Sequence, residues 1–257
     1  MLGPSLVDLY EEGPSALGLA LRRDASSVVA QQRAIVEAGA ELVLAPTAST
    51  TAPALHATGQ AYRAAALTAL AIDLTRDAVL AAGGRALCLG ELPQLPGRRS
   101  EMHLHLERLA TSGADGLLLT GDDPDALRDL AARALQHLLP VLVELPPHMA
   151  DLASSLGASA VVFRDADPES LARAIDAVRS FAPTLPLGAR IELELPADDR
   201  ERAQLAVARA WSLLAPRAIT LVGVSGPTAL AALPALAELE TGPTLSASAE
   251  PCSSPRP

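Results

Sequence analysis

In this sequence the residues able to do chemistry recur at one kind of place, the C-terminal ends of short apolar runs. Glu91 follows the run 85–90, Thr120 ends 116–120, Glu144 lies in 141–145, Arg164 ends 160–164, Glu194 lies in 190–195, and Ser225 follows 219–224. Asp8 and Thr47 hold the same station in and after the runs 6–9 and 41–45. Together they form the candidate substrate-binding set. Oxygen ligands such as Asp8, Glu91, Glu144 and Glu194 could hold Mg²⁺ or Mn²⁺ or bind an amine, and Arg164 could anchor an anion. Glu144 and Glu194 stand out because each interrupts an apolar run, where a charge is costly without a partner. Glu192 and Glu194 alternate with Leu193 and Leu195, a pattern that suits a polar interior lining or a solvated edge.

Other polar residues have plainer readings. Asp122, Asp123 and Asp165 are expected to cap helices. His103 and His105 lie two apart on a predicted helix and point to different sides of its axis, so they make a poor chelate and are expected at the surface. His56 and His148 fall near the loops after the runs 41–45 and 141–145, and His56 is the candidate acid or base. Residues 223–227 follow the last run like a phosphate-binding turn, but Pro227 removes one of the N–H donors such a turn needs. No Gly-x-Gly-x-x-Gly, phosphate-loop, His-Glu-x-x-His or Gly-x-Ser-x-Gly motif is present.

Composition excludes whole classes of chemistry. The formal charge of -10 is wrong for a nucleic-acid partner, whose phosphates demand clustered cations. All basic residues are Arg; there is no Lys and no Asn, the mark of a high-GC coding bias. Schiff-base catalysis and a phosphate-loop lysine are therefore impossible. Cys88 and Cys252 cannot build a multi-thiolate metal site, and no cofactor is expected. The N-terminus carries Asp8, Glu11 and Glu12 where a secretion signal would be basic and then apolar. The uncharged stretch 218–237 is broken by Gly223, Gly226, Pro227 and Pro234, so it is no membrane span. The expected protein is cytoplasmic, free of membrane and nucleic acid, with a small molecule as its partner; nothing in the sequence fixes an oligomeric state.

The elements that must position these residues alternate. Apolar runs lie at 6–9, 41–45, 85–90, 116–120, 141–145, 160–164, 190–195 and 219–224. Helical patterns lie near 26–38, 60–82, 100–112, 124–138, 148–156, 168–181, 198–215 and 228–239. Asp123-Pro124 and Asp167-Pro168 read as helix starts, and Gly39, Gly83-Gly84, Gly113 and Gly157 as helix ends. Continuous apolar strands alternating with helices predict parallel strands covered on both faces. Eight such units in about 240 residues predict an α/β fold, a (β/α)₈ TIM barrel forming a single domain over 1–239, with an open doubly wound sheet as the alternative. The unit covering 11–24 is short and irregular, and the Ser- and Pro-rich tail 240–257 is expected to be disordered.

Four of these segments, in order, resemble a known family. The stretch 32–47, a helix leading through Ala38-Gly39-Ala40 into a strand ending Ala45-Pro46-Thr47, is similar to the corresponding part of homocysteine S-methyltransferase domains, whose strand ends Thr-Asn-Thr. Residues 90–93 resemble the Gly-Ser-x-Gly-Pro end of that family's third strand, and 113–119 its Gly-Val-Asp run into the fourth. Residues 219–228 resemble its last strand and Gly-Gly-Cys-Cys-Gly-Thr loop. The resemblance implies a TIM barrel whose mouth binds homocysteine, with zinc held by three cysteines to ionise the substrate thiol. Those cysteines are missing: the relevant strand ends are Val162-Phe163-Arg164-Asp165 and Val224-Ser225. The family's Glu-Thr pair after the fourth strand is Thr120-Gly121, and its opening Asp-Gly-x-x-Gly-Thr run survives only as Asp8. The expectation is a diverged member without zinc–thiolate methyl transfer, a binding or scaffold protein; the alternative is a divalent-metal-assisted lyase or hydrolase working through the mouth carboxylates.

Overall fold

The computed structural model describes residues 1–6, 14–196 and 199–240. Asp8, most of the expected first strand and the tail beyond 240 lie outside the described residues. Among the described residues the first helices with defined bounds are α1 (Pro14–Arg23) and α2 (Ala25–Glu37). Then come β1 (Leu42–Ala45), the short α3 (Ala52–His56), α4 (Ala64–Ala81), β2 (Leu87–Pro93), α5 (Arg99–Thr111), β3 (Gly116–Thr120) and α6 (Pro124–Leu135). They are followed by β4 (Val141–Leu145), a 3₁₀ segment (Pro147–Ser155), β5 (Ala160–Asp165), α7 (Pro168–Phe181), β6 (Leu187–Glu192), α8 (Arg200–Leu214), β7 (Leu221–Ser225) and α9 (Ala229–Glu240). Among the described residues the strands form one seven-stranded sheet, every strand parallel to and paired with its neighbour in chain order.

The sheet curls until both its edges meet the N-terminal residues. Leu2 bridges Leu42 on β1 and Gly223 on β7. The Leu2 amide donates to Val222 O at 2.8 Å, and the Gly3 amide to Leu42 O at 2.7 Å. Only glycine at 223 allows this: a Cβ there would sit 2.7 Å from Leu2 O. Of the strand expected at 6–9 only Leu6 is described, and it is not in the sheet; among the described N-terminal residues the one that pairs is Leu2. The irregular first unit holds α1, whose Leu17 and Leu21, four apart and so on one helical face, are fully buried.

Period-two alternation sorts each strand's side chains between two environments. Leu44, Leu89, Leu118, Leu142 and Val162 pack with Leu2 inside the curl. Their neighbours Val43, Leu117, Val143, Val161 and Phe163 face the helices. The helix starts behave as their chemistry requires: Asp123 accepts from Asp125 N and Ala126 N, and Asp167 from Glu169 N and Ser170 N, each with proline next in line. Gly39, Gly113 and Gly157 adopt positive φ at the helix ends. The strand expected at 190–195 begins three residues earlier, at Leu187. Its apolar–polar alternation continues through Leu195, so periodicity could not fix its limits; pairing does, since Glu192 opposite Ser225 is the last rung with β7.

Candidate functional site

The alternation that packs leucines in the lower interior puts polar residues one step higher on the same strands. Leu89 is followed by Glu91, Leu118 by Thr120, Leu142 by Glu144 and Val162 by Arg164, each two positions on; β6 carries Gly188, Arg190 and Glu192 in the same phase. Register then brings these ends together, with Thr120 opposite Glu144 and Arg164 opposite Arg190.

Glu144 is the centre of an ion network. Its Oε2 accepts from Arg190 Nη1 at 2.9 Å, with side-chain exposures of 5% and 1%. Its Oε1 accepts a longer hydrogen bond, 3.4 Å, from Arg164 Nη1. Arg164 Nη2 reaches on to Glu192 Oε1 at 2.6 Å, and these two side chains are 33% and 34% exposed. A chain of alternating charge therefore runs from a closed interior to a wetted rim. Above it lies a cavity of about 430 Å³ lined by Gln94, Thr120, Asp122, Glu144, Arg164 and Glu192 together with Pro93, Pro96, Pro146 and Leu145. That volume suits a small ligand.

The remaining expected site residues fall elsewhere. Thr47 is a staple: its Oγ1 accepts from Glu91 N and donates to Glu91 O, both at 2.8 Å, tying the end of β1 to β2. The buried Glu91 carboxylate accepts from Ser5 Oγ at 2.8 Å. Ser225 is fully buried, and its Oγ has no hydrogen-bond partner among the described residues. Glu194 does not line the mouth cavity: because β6 stops at Glu192, it lies past the strand, exposed, against a separate cleft between the β5 and β6 ends. Asp123 caps α6, Asp165 accepts from Asp167 N at 2.9 Å, and Asp122 faces the cavity without capping.

The histidine expectation is also corrected. His105 is buried, and that burial, with the Arg108 charge adding to it, pushes its pKa down to about 4. His103 is half-buried and pairs with Asp129 at 2.5 Å, while Arg99 holds that carboxyl down to about 2 chiefly through a hydrogen bond. His56 ends α3 beside Arg98 and Glu101, and His148 lies exposed in the 3₁₀ segment, neither lining the cavity.

Two contributors escaped sequence reading. Arg190 was legible as a charge two residues before Glu192, had the strand been placed three residues earlier. Gln94 carries no sequence signal; it matters because its Oε1 accepts from Asp122 N and Asp123 N at 2.8 and 2.9 Å, fixing the loop after β3.

The donor set does not fit zinc. Phe163 and Val224 pack against the helices, and Arg164 is engaged in ion pairs. Cys88 sits on the outer face of β2 with Ala45, Ile72 and Ala114, its thiol pushed up to about 12 by burial and by the Asp115 charge. Among the described residues no three His, Cys, Asp or Glu side chains gather as a metal site requires.

No protein-family model matches the chain, and no curated protein matches it. Solved structures do match. Homocysteine methyltransferase MmuM from Escherichia coli, in its metallated form, is similar at TM-score 0.73 and 16% identity, over 92% of this chain and 94% of that one. What is shared is the fold, an α/β architecture with a curled parallel sheet of TIM-barrel type. A monomeric dihydrodipicolinate synthase variant is similar at TM-score 0.56 and 12% identity, covering 94% of this chain and 74% of that one. Tryptophan synthase from M. tuberculosis gives 0.51 and 19%, covering 91% of each chain. Identities this low carry the fold alone, and these neighbours catalyse different reactions. No helix among the described residues is long and apolar enough to cross a membrane.

Proposed function

We propose that this chain is a diverged barrel of the homocysteine S-methyltransferase type, its ring completed by the N-terminal segment as an eighth strand, which binds a small zwitterion at its mouth and has lost zinc–thiolate chemistry. One observation carries the reading: a strand end that would carry one of the thiolates has Arg164 instead, bound into an ion network, Arg190–Glu144–Arg164–Glu192, whose outer pair lines the mouth cavity. Arg164 and Glu192 are each about a third exposed and opposite in charge. They suit the carboxylate and ammonium of a free amino acid, held by charge-assisted hydrogen bonds. The order of the family-like segments and the MmuM-like fold support the ancestry. On this reading the protein works in the cytoplasm as a binding protein.

Three measurements test it. Metal analysis of the purified protein is expected to find no stoichiometric zinc, and a methyl-transfer assay with homocysteine is expected to show no turnover; zinc with turnover would refute the loss. Calorimetric titration with homocysteine, methionine and other free amino acids is expected to detect binding that Arg164→Ala removes. The divalent-metal lyase or hydrolase reading draws no support from this geometry, since Glu144, its best ligand, already faces two guanidinium groups.

A further inference from the structure

Beside the mouth, with Glu192 as the shared wall, a second cleft of about 730 Å³ opens between the ends of β5 and β6 and the first turns of α7 and α8. Its surface is mainly apolar, formed by Pro168, Ile191, Leu193, Leu195, Leu205 and Ala206. Leu205 is 63% exposed. Leu205 shares this concave surface with the half-buried Leu195 and with the edges of Ile191 and Leu193, which are only 2% and 3% exposed. The rim is acidic, with Asp167, Glu169, Glu192 and Glu194 against Arg202 and Arg209. Both arginines are already neutralised: Arg209 pairs with Glu169 at 3.0 Å and Arg202 with Asp199 at 3.0 Å. Asp167 is engaged in capping α7, and Glu192 in holding Arg164. Glu194 has no such engagement among the described residues, and it stands exposed between Leu193 and Leu195.

The geometry points to a second ligand site in this cleft, for a small amphipathic cation: an amine whose alkyl or aryl body lies on Leu193, Leu195 and Leu205 and whose ammonium meets Glu194. Asp167, Glu169 and Glu192 pair with Arg173, Arg209 and Arg164, so Glu194 is the rim carboxylate that disfavours an anion, and a purely apolar molecule would leave it without a counter-charge. The site goes beyond the amino-acid reading of the mouth and stands apart from it, since only Glu192 belongs to both cavities.

The test is calorimetric titration of the full chain with 4-phenylbutylamine, the matching alcohol 4-phenylbutan-1-ol, and 4-phenylbutyrate. The amine is expected to bind one per chain, the alcohol roughly five-fold more weakly, as a partly exposed ion pair allows, and the acid more weakly still. Glu194→Gln is expected to remove the amine's advantage. Leu205→Arg is expected to abolish amine binding while leaving the unfolding midpoint and amino-acid binding at the mouth unchanged, which separates failure here from failure of the mouth reading. Equal binding of amine and alcohol, or wild-type amine binding by Leu205→Arg, would overturn the proposal. So would a concentration-dependent dimer that Leu205→Arg disperses and the amine does not, since the cleft would then be a self-association face.

Discussion

Glu144 and Arg190 form an ion pair at 2.9 Å that is almost wholly closed to water, at the level where the apolar interior of the curled sheet gives way to the mouth. Removing one member of such a pair leaves the other charge with its desolvation cost and less of its compensation. Arg190 keeps other interactions, so Glu144→Ala is expected to cost about 3 kcal/mol, the low end for a buried pair. In a chain of this size that lowers the thermal midpoint by roughly 6–12 °C. Glu144→Gln, which keeps an acceptor, is expected to lose less. Denaturation of the two variants side by side measures both.

Closure through Leu2 makes a separate expectation. Gly223→Val places side-chain atoms where Leu2 O approaches, so the N-terminal residues must move away from β7. Overpacking of this kind costs about 1–3 kcal/mol. Hydrogen exchange gives the local readout: the Leu2 amide, which donates to Val222 O, is expected to exchange faster in the variant, while amides of β3 and β4 keep their protection. Unchanged protection at Leu2 would show that the two sheet edges are not joined this way.

His105 sets an acid sensitivity whose direction is fixed by its burial. Its folded pKa lies at about 4, below the ordinary 6.5, so between these values the unfolded chain binds the proton and the folded chain does not. The contribution to stability is complete above pH 6.5 and is lost as pH falls toward 4. Urea midpoints across pH 7 to 4 are expected to decline in the natural protein and to decline less in His105→Leu.

Cys88 is expected to be inert. With its thiol pushed up to about 12 and its side chain buried, almost no thiolate is present at pH 8. Iodoacetamide labelling followed by mass spectrometry is expected to leave the Cys88 peptide unmodified in the native protein and to modify it fully in urea. Labelling at native rates comparable to free cysteine would reopen the question of a thiol-based site.

Much was legible in the sequence because it depends on neighbours along the chain. The strands Gly116–Thr120 and Val141–Leu145 were readable as continuous apolar runs, and Asp123-Pro124 and Asp167-Pro168 announced the helices they cap. Glu144 was conspicuous because a lone carboxylate in an apolar strand demands a partner. The identity of that partner was not readable. Arg190 lies 46 residues away, and it reaches Glu144 because β5 and β6 pair in a register that sets Arg164 opposite Arg190.

Composition and local period alone set the alternation of strands and helices, the lack of thiolates at the strand ends, and the carboxylates and arginine available there. Long-range pairing and packing made Leu2 join the sheet edges, ended β6 at Glu192 with Glu194 in another cleft, and buried His105. Each of these outcomes is set by pairing register and by packing between segments far apart in the chain, and a period of two or 3.6 residues carries no information about either.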